Sequence, residues 1–299
     1  MLQSVEGYAD WQARRDFALH SLGLVNRAFP ALVMELKGYA EGAGASFEDL
    51  WTLCLEEEYE YVDKCTTIVT NGGKLTGHNE DWDISAQDGL CVLKKSIGSL
   101  TILELFYLNT LGGNAISINS HGIVQAINSL PIYKHQDGIP RNIMARWVSQ
   151  ARSLKEAVQG LLSHKRSSGY HHTLVDLIEG ASLSIECSAR KAYATKPVLP
   201  FVHTNHYIAQ AYAFEEEDED RLDSRMRYQL ALKKAMPHMS ETSLKELLGD
   251  RRGQHEHDVF NERTIARMVV NQDEMRASIW LLREKERGWV DYPIDFISH

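Results

Sequence analysis

At Cys65 the periodicity of the chain changes, and this limits the folds open to it. Before it, apolar residues recur at helical spacing: Trp11, Ala18, Leu22, Val25 and Phe29, until Pro30 interrupts the run. ALVMELKGYAEG reads as a second helix ending at Gly-Ala-Gly. Ser46-Phe47-Glu48-Asp49 is a capping box, with Asp49 where Glu or Gln is usual, opening a third helix through about Glu58. From Cys65 the segments are short and β-rich. CTTIVT, NGG and KLTGHNEDWD read as strand, tight turn and strand. CVLKKS, LTILELFYL, NAISINS and GIVQAINSL continue the pattern, punctuated by Gly, Asn and Ser. Helical spacing returns from Ile139 to about His164, opened by Pro140, and again over residues 221–250 with a cap at Ser240 or Thr242. Between them lie the hairpin HTLVDLIEG-ASLSIECSA, then KAYAT and PFVHTNHY. The alternation of strand runs and helix pairs predicts an α+β or layered α/β protein.

With 299 residues, one large domain or two are open. Nothing approaches a membrane-spanning apolar run, and the N-terminus has acids where a signal peptide needs a basic patch. A net charge of −9 argues against nucleic acid or an anionic membrane as the main partner. Residues 1–64 hold 12 acids and 5 bases, which sets this helical piece apart from the rest. The run Glu215 to Asp220 reads as a solvated helix end or loop. Four scattered cysteines without a CxxC suggest neither a disulfide scaffold nor a zinc ribbon. The expectation is a cytoplasmic, soluble protein; a homo-oligomer is left open.

His203-x-x-His206 and His255-x-His257 have ligand-like spacing but lack the HExxH pattern or a well-placed acid. They read as exposed or hydrogen-bonded histidines, so no metal is expected. GxSxG, GxGxxG and GxxxxGK[ST] are all absent, which removes the serine-hydrolase elbow and the common nucleotide loops. A lone cysteine opening a strand is by default a small buried apolar residue. Cys65 differs in its company: an acidic helical segment before it, and Gly77-His78-Asn79-Glu80-Asp81-Trp82 on the strand after it.

Cys65-Thr66-Thr67 with that second strand resembles the opening of N-terminal-nucleophile hydrolases of the acyl-CoA:6-aminopenicillanic-acid acyltransferase type. It is similar, more distantly, to the choloylglycine hydrolase and penicillin V acylase family. ELKGYAEGAGASFEDLWTLCLEEE, HGIVQAINSLP, Pro140 with its helix, HTLVDLIEG with SIE, His203-Thr204-Asn205-His206 and Ser224-Arg225-Met226-Arg227-Tyr228 follow in the same order. The resemblance covers roughly residues 30–280 and departs where the bile-salt branch carries Arg and this chain has His78. It implies a four-layer αββα sandwich. Residues 1–64 would be a helical pro-segment and 65–299 the catalytic domain, separated by self-cleavage between Lys64 and Cys65.

Such a cut has a chemical reason. A thiol with a pKa near roughly 8.5 needs a base, and no histidine is obviously paired with Cys65. A free α-amine, with a pKa of about 8, can take the proton once the Lys64–Cys65 bond is broken. By the resemblance, Cys65 attacks the carbonyl of a small acyl amide or thioester, and no cofactor is required. Asn128 and Asn205 would be oxyanion donors, Asp81 would hold the α-ammonium, and Arg227 would pair with Asp81 or offset the site's negative charge. The bland alternatives are turn residues for the two asparagines, a strand-end cap for Asp81 and a surface arginine for Arg227, with Arg225 beside it. His78, Trp82 and Glu186 read as structural. The expected activity is amide hydrolysis or acyl transfer. The rivals are a dedicated acyltransferase using a thioester donor and a silent binding protein that never splits.

Overall fold

A computed structural model describes residues 10–59, 65–209, 222–252 and 257–297. Lys64, His255 and the acidic run at 215–220 lie outside the described residues. Among the described residues, three helices precede Cys65: α1 (Trp11–Ala28), α2 (Pro30–Ala43) and α3 (Phe47–Cys54). Pro30 opens α2 and Gly44 closes it in the left-handed conformation, while the Ser46 hydroxyl accepts from the Asp49 amide to start α3. α3 stops at Cys54, short of the expected Glu58, and residues Glu56–Glu58 form a single 3-10 turn.

Strands β1 (Thr66–Thr70) and β2 (Leu75–Asp81) form the hairpin expected after Cys65. Its turn needs three consecutive positive φ angles, at Asn71, Gly72 and Gly73, which the NGG sequence can supply. Strands β3 (Leu90–Ile97), β4 (Leu100–Tyr107), β5 (Ile116–Asn119) and β6 (Ile123–Ser129) follow. The helical stretch at 139–164 divides into α4 (Arg141–Val148) and α5 (Leu154–Ser163), because Ser153 caps a new helix by accepting from the Glu156 amide. Next come β7 (Tyr170–Asp176), β8 (Ala181–Cys187), β9 (Ala192–Thr195) and β10 (Phe201–His203). The 221–250 stretch likewise divides into α6 (Leu222–Lys234) and α7 (Glu241–Leu248), with Pro237 between them and Ser240 as the cap of α7. Three strands went unread in the sequence: β11 (Thr264–Asn271), β12 (Arg276–Leu281) and β13 (Val290–Pro293).

The thirteen strands of the described residues pair antiparallel, in two sheets ordered β10-β1-β2-β11-β12-β13 and β3-β4-β5-β6-β7-β8-β9. Their facing sides enclose one apolar cluster, including Val69, Leu103, Leu105, Val124, Val175, Ile265 and Met268. The outer face of the first sheet packs Ile68, Val202 and Val269 against Ala231 of α6 and Leu244 and Leu248 of α7. On the outer face of the second sheet, Leu174 and Ile185 meet α4 and α5. The layers are therefore helix, sheet, sheet, helix, the αββα sandwich expected. Helices α1–α3 join the last layer. Val25, Leu36 and Trp51 share one cluster with Ile143, Val148 and Leu161, so the segment before Cys65 has no core of its own. Among the described residues, no helix is long and apolar enough to cross a membrane.

Candidate active site

Strand alternation decides what surrounds Cys65. Thr66 pairs with Asn79 and Thr67 with His78, so successive β1 and β2 side chains face opposite layers. Ile68, Gly77 and Asn79 face α7: a Cβ on Gly77 would lie 2.9 Å from Leu248 Cδ1, and Asn79 Nδ2 donates to the Leu248 and Val259 carbonyls. Thr67, Val69, His78 and Glu80 face the second sheet. At this end of the sandwich the layer between the sheets turns polar. Asn128, His171 and Glu186 rise from β6, β7 and β8 opposite Cys65, Thr67 and His203.

Cys65 is buried, 7% exposed, and its thiol lies between the sheets. Burial first, then the nearby carboxylates of Glu80 and Asp81, push it well above its ordinary value, while a bond from the Asp81 amide opposes them. In the single chain Cys65 is therefore a protonated thiol at neutral pH. Helix α6 buries Arg227 completely and leaves Arg225 exposed, which resolves which arginine faces the site. Arg227 Nη1 donates to the Cys65 carbonyl at 3.1 Å and to Thr66 Oγ1 at 3.0 Å, and Nη2 donates to Asn205 Oδ1 at 2.9 Å. Its approach to Asp81 is looser, 4.0 Å from Nη1 to Oδ2. Arg227 thus grips the main chain of Cys65 more closely than it pairs with Asp81.

Asp81 ends β2, fully buried, with Asn261 Nδ2 donating to Oδ2 at 2.9 Å. Its Oδ1 has no hydrogen-bond partner among the described residues. Burial raises this carboxyl to about 6, against the opposing pull of Arg227, Thr264 and Asn261. Asn205 follows β10 and donates from Nδ2 to the Ser129 carbonyl at 3.0 Å, while its backbone N–H donates to Ser224 Oγ at 2.8 Å. Asn128 stands on β6 rather than in a turn; its Oδ1 accepts from Thr67 Oγ1 at 2.9 Å, and Nδ2 reaches the His203 carbonyl at 3.4 Å. All five residues singled out in the sequence, Cys65, Asp81, Asn128, Asn205 and Arg227, converge at one end of the sandwich.

Other polar groups were read as structural or not read at all. Glu80 Oε2 lies 3.8 Å from Cys65 Sγ and 2.9 Å from His78 Nε2, and Oε1 accepts from the Tyr107 hydroxyl at 2.8 Å. A histidine is therefore linked to Cys65 through one carboxylate, contrary to the absence of a paired histidine expected from the sequence. The period of two in His78-Asn79-Glu80 carried that signal. Among the described residues, Cys65, His78 and Glu80 form a group whose ligating atoms lie within 4.8 Å of one another. The 2.9 Å between Nε2 and Oε2 is a hydrogen bond, which a cation seated about 2.1 Å from both would have to displace. The geometry is that of a proton path. Glu186 accepts from the Ile208 and Ala209 amides and contacts His203 Nε2 at 3.0 Å, which ties β8 to the segment that carries Asn205. His203 and His206 are both hydrogen-bonded within the protein.

Comparison with known proteins agrees with this architecture. The chain is similar to conjugated bile acid hydrolase from Clostridium perfringens, with a TM-score of 0.52 and 10% identity over 78% of this chain and 93% of that one. It is also similar to penicillin V acylase from Agrobacterium tumefaciens, with a TM-score of 0.50 and 13% identity over 73% of this chain and 83% of that one. At these identities the likeness is one of fold, the αββα sandwich described above. In sequence, 166 residues are 28% identical to beta-alanyl-dopamine/carcinine hydrolase of Drosophila melanogaster, covering 47% of this chain and 43% of that relative. The match therefore spans less than half the length of the curated relative. Residues 69–286 match the family model described as acyl-coenzyme A:6-aminopenicillanic acid acyl-transferase. With that match reaching from β1 to the turn before β13, the chain belongs to the acyl-coenzyme A:6-aminopenicillanic acid acyl-transferase family.

Proposed function

We propose that this protein is a self-cleaving cysteine amidohydrolase or acyltransferase that works on small non-peptidic amides through an acyl-Cys65 intermediate. The observation that carries the reading is the buried, unpartnered Oδ1 of Asp81 behind a cysteine whose carbonyl Arg227 grips. A buried carboxylate oxygen without a donor is costly, and an α-ammonium formed at Cys65 would supply one. In this reading Cys65 attacks the Lys64 carbonyl and the thioester is hydrolysed, which frees the amine. The amine, oriented by Asp81, then takes the thiol proton as Sγ adds to a substrate carbonyl. Asn128 and Asn205 stabilise the oxyanion, each such donor contributing about 3 kcal/mol. Arg227 positions both the nucleophile's main chain and Asn205. Water or an amine finally releases the acyl group.

β-Alanyl-dopamine and carcinine, which the Drosophila relative is named for hydrolysing, are the first substrates to assay. Intact mass of the purified protein should show two pieces ending at Lys64 and beginning at Cys65. Cys65→Ala should give one intact, folded chain with no turnover. An alanine variant that still splits, or still hydrolyses, would remove Cys65 from the mechanism. Comparing product formed with water and with added amine separates hydrolysis from transfer.

A further inference from the structure

The amine-based mechanism leaves its own first step without a base. Before the Lys64–Cys65 bond is cut, the nitrogen of Cys65 is an amide and cannot accept a proton, yet the thiol must lose one to attack. Burial and two carboxylates hold that thiol protonated in the single chain. The base for self-cleavage must therefore be another group within reach of Sγ.

Glu80 is such a group. Its Oε2 is 3.8 Å from Cys65 Sγ, within the longer reach of a sulfur donor, and the residue is 3% exposed. Both carboxylate oxygens are held. Tyr107, whose hydroxyl burial and Glu80 keep protonated, donates to Oε1. His78 Nε2 meets Oε2 at 2.9 Å. The other side of the imidazole fixes its proton: Thr67 gives its one hydroxyl hydrogen to Asn128 Oδ1, so His78 Nδ1 must be the donor to Thr67 Oγ1 at 2.9 Å. Nε2 and Oε2 are thus joined by one hydrogen bond, on the oxygen that also faces the thiol. A carboxylate fixed at both ends, with an imidazole behind it and a thiol in front, is preorganised to take a proton.

We propose that Glu80 is the general base for Cys65 in the uncleaved chain, and that His78 is the positioning residue that holds its carboxylate. The inference rests on the self-cleaving reading above. As Sγ bonds to the Lys64 carbonyl carbon, the thiol proton passes to Glu80 Oε2. The carbon–nitrogen bond then breaks and Glu80 returns the proton to the Cys65 nitrogen. This leaves a Lys64 thioester and a free amine. Water adds hydroxyl to the acyl carbon and a proton to sulfur, so no other reactant is consumed.

The test follows self-cleavage by intact mass over time, in wild type, Glu80→Gln, His78→Ala, His78→Gln and Cys65→Ala. Glu80→Gln keeps the shape and should slow cleavage by about 100-fold or more, the usual contribution of a general base. His78→Ala should slow it by about tenfold, and His78→Gln, which keeps a donor toward Oε2, should recover part of that loss. A purely structural role would lower the melting temperature and leave the cleavage rate near normal. Cleavage of Glu80→Gln within threefold of wild type overturns the inference. Splitting of Cys65→Ala overturns instead the reading on which it rests. If the wild-type chain stays whole, alkylation of Cys65 by iodoacetamide decides the matter. A base makes Glu80→Gln slower than wild type, whereas a carboxylate that acts only as a negative charge makes it faster. If Glu80→Gln does not fold, the two His78 variants carry both measurements, and wild-type rates in His78→Ala overturn the inference.

Discussion

Burial raises the Asp81 carboxyl from an ordinary 3.8 to about 6, so the fold works against the charge that the proposed mechanism needs. A carboxyl shifted upward stabilises the folded state where it is protonated, and that contribution is lost as pH rises through 6. Asp81→Asn, made in the uncleaved Cys65→Ala chain, should therefore be the more stable protein at pH 8, by about 3 kcal/mol at most, and should match its parent below pH 4. Thermal melts at the two pH values check this; a variant less stable at pH 8 would make Asp81 a structural cap. In the active chain the same substitution should lower turnover and move the acidic limb of the pH–rate profile to lower pH, because the amine loses the carboxylate that favours its ammonium form. Legibility at this scale follows burial. Arg227 could not be told from Arg225 in the sequence, since α6 has no strong apolar stripe to orient it. Cys65 and Asp81 stood out through the family resemblance, carried on a hairpin whose turn and strands are legible. Glu80 was not singled out, since strand alternation says which face a side chain takes but not what waits across the layer.

Strands and helices set the distances at the site, and β2 is the element under most constraint. Its inward face carries His78 and Glu80, and its outward face lies against α7 with no room for a side chain at Gly77. A Cβ there meets Leu248 Cδ1 at 2.9 Å and Leu244 Cδ2 at 3.0 Å, both the ends of movable side chains. Gly77→Val should force α7 away and destabilise the protein by about 1–3 kcal/mol, measured by denaturant titration. An unchanged midpoint would show that α7 yields without loss of packing. The hairpins were legible because turn residues and alternation coincide in them, as at NGG between β1 and β2. β11 was not, although MVV is apolar. It joins the centre of its sheet beside β2, far from it in sequence, and nothing local announces such a long-range pairing. The helix breaks near Ser153 and Pro237 show the same limit, for caps and prolines were visible while the space that required a break was not.

Across the whole molecule, the sandwich is closed by helices from both sides of the proposed cut. Val25, Leu36 and Trp51 lie in one cluster with Ile143, Val148 and Leu161. That shared core bears on maturation as a question of molecularity. An uncleaved chain folds as one body, and its melting temperature is independent of concentration. Once split, the same native structure is a complex of two chains. Separation on heating gains translational freedom that the peptide bond had withheld, and refolding then requires an encounter. A Cys65→Ala chain should accordingly melt and refold at a fixed temperature over a hundredfold dilution. The split protein should melt at lower temperature as it is diluted, or fail to refold at all. Equal behaviour of the two forms would mean that no cut had been made. Self-cleavage at Cys65 would thus act as a ratchet: it turns a reversible fold into one that persists through its barrier to coming apart, so that the chain can assemble its site once and has little means of assembling it again.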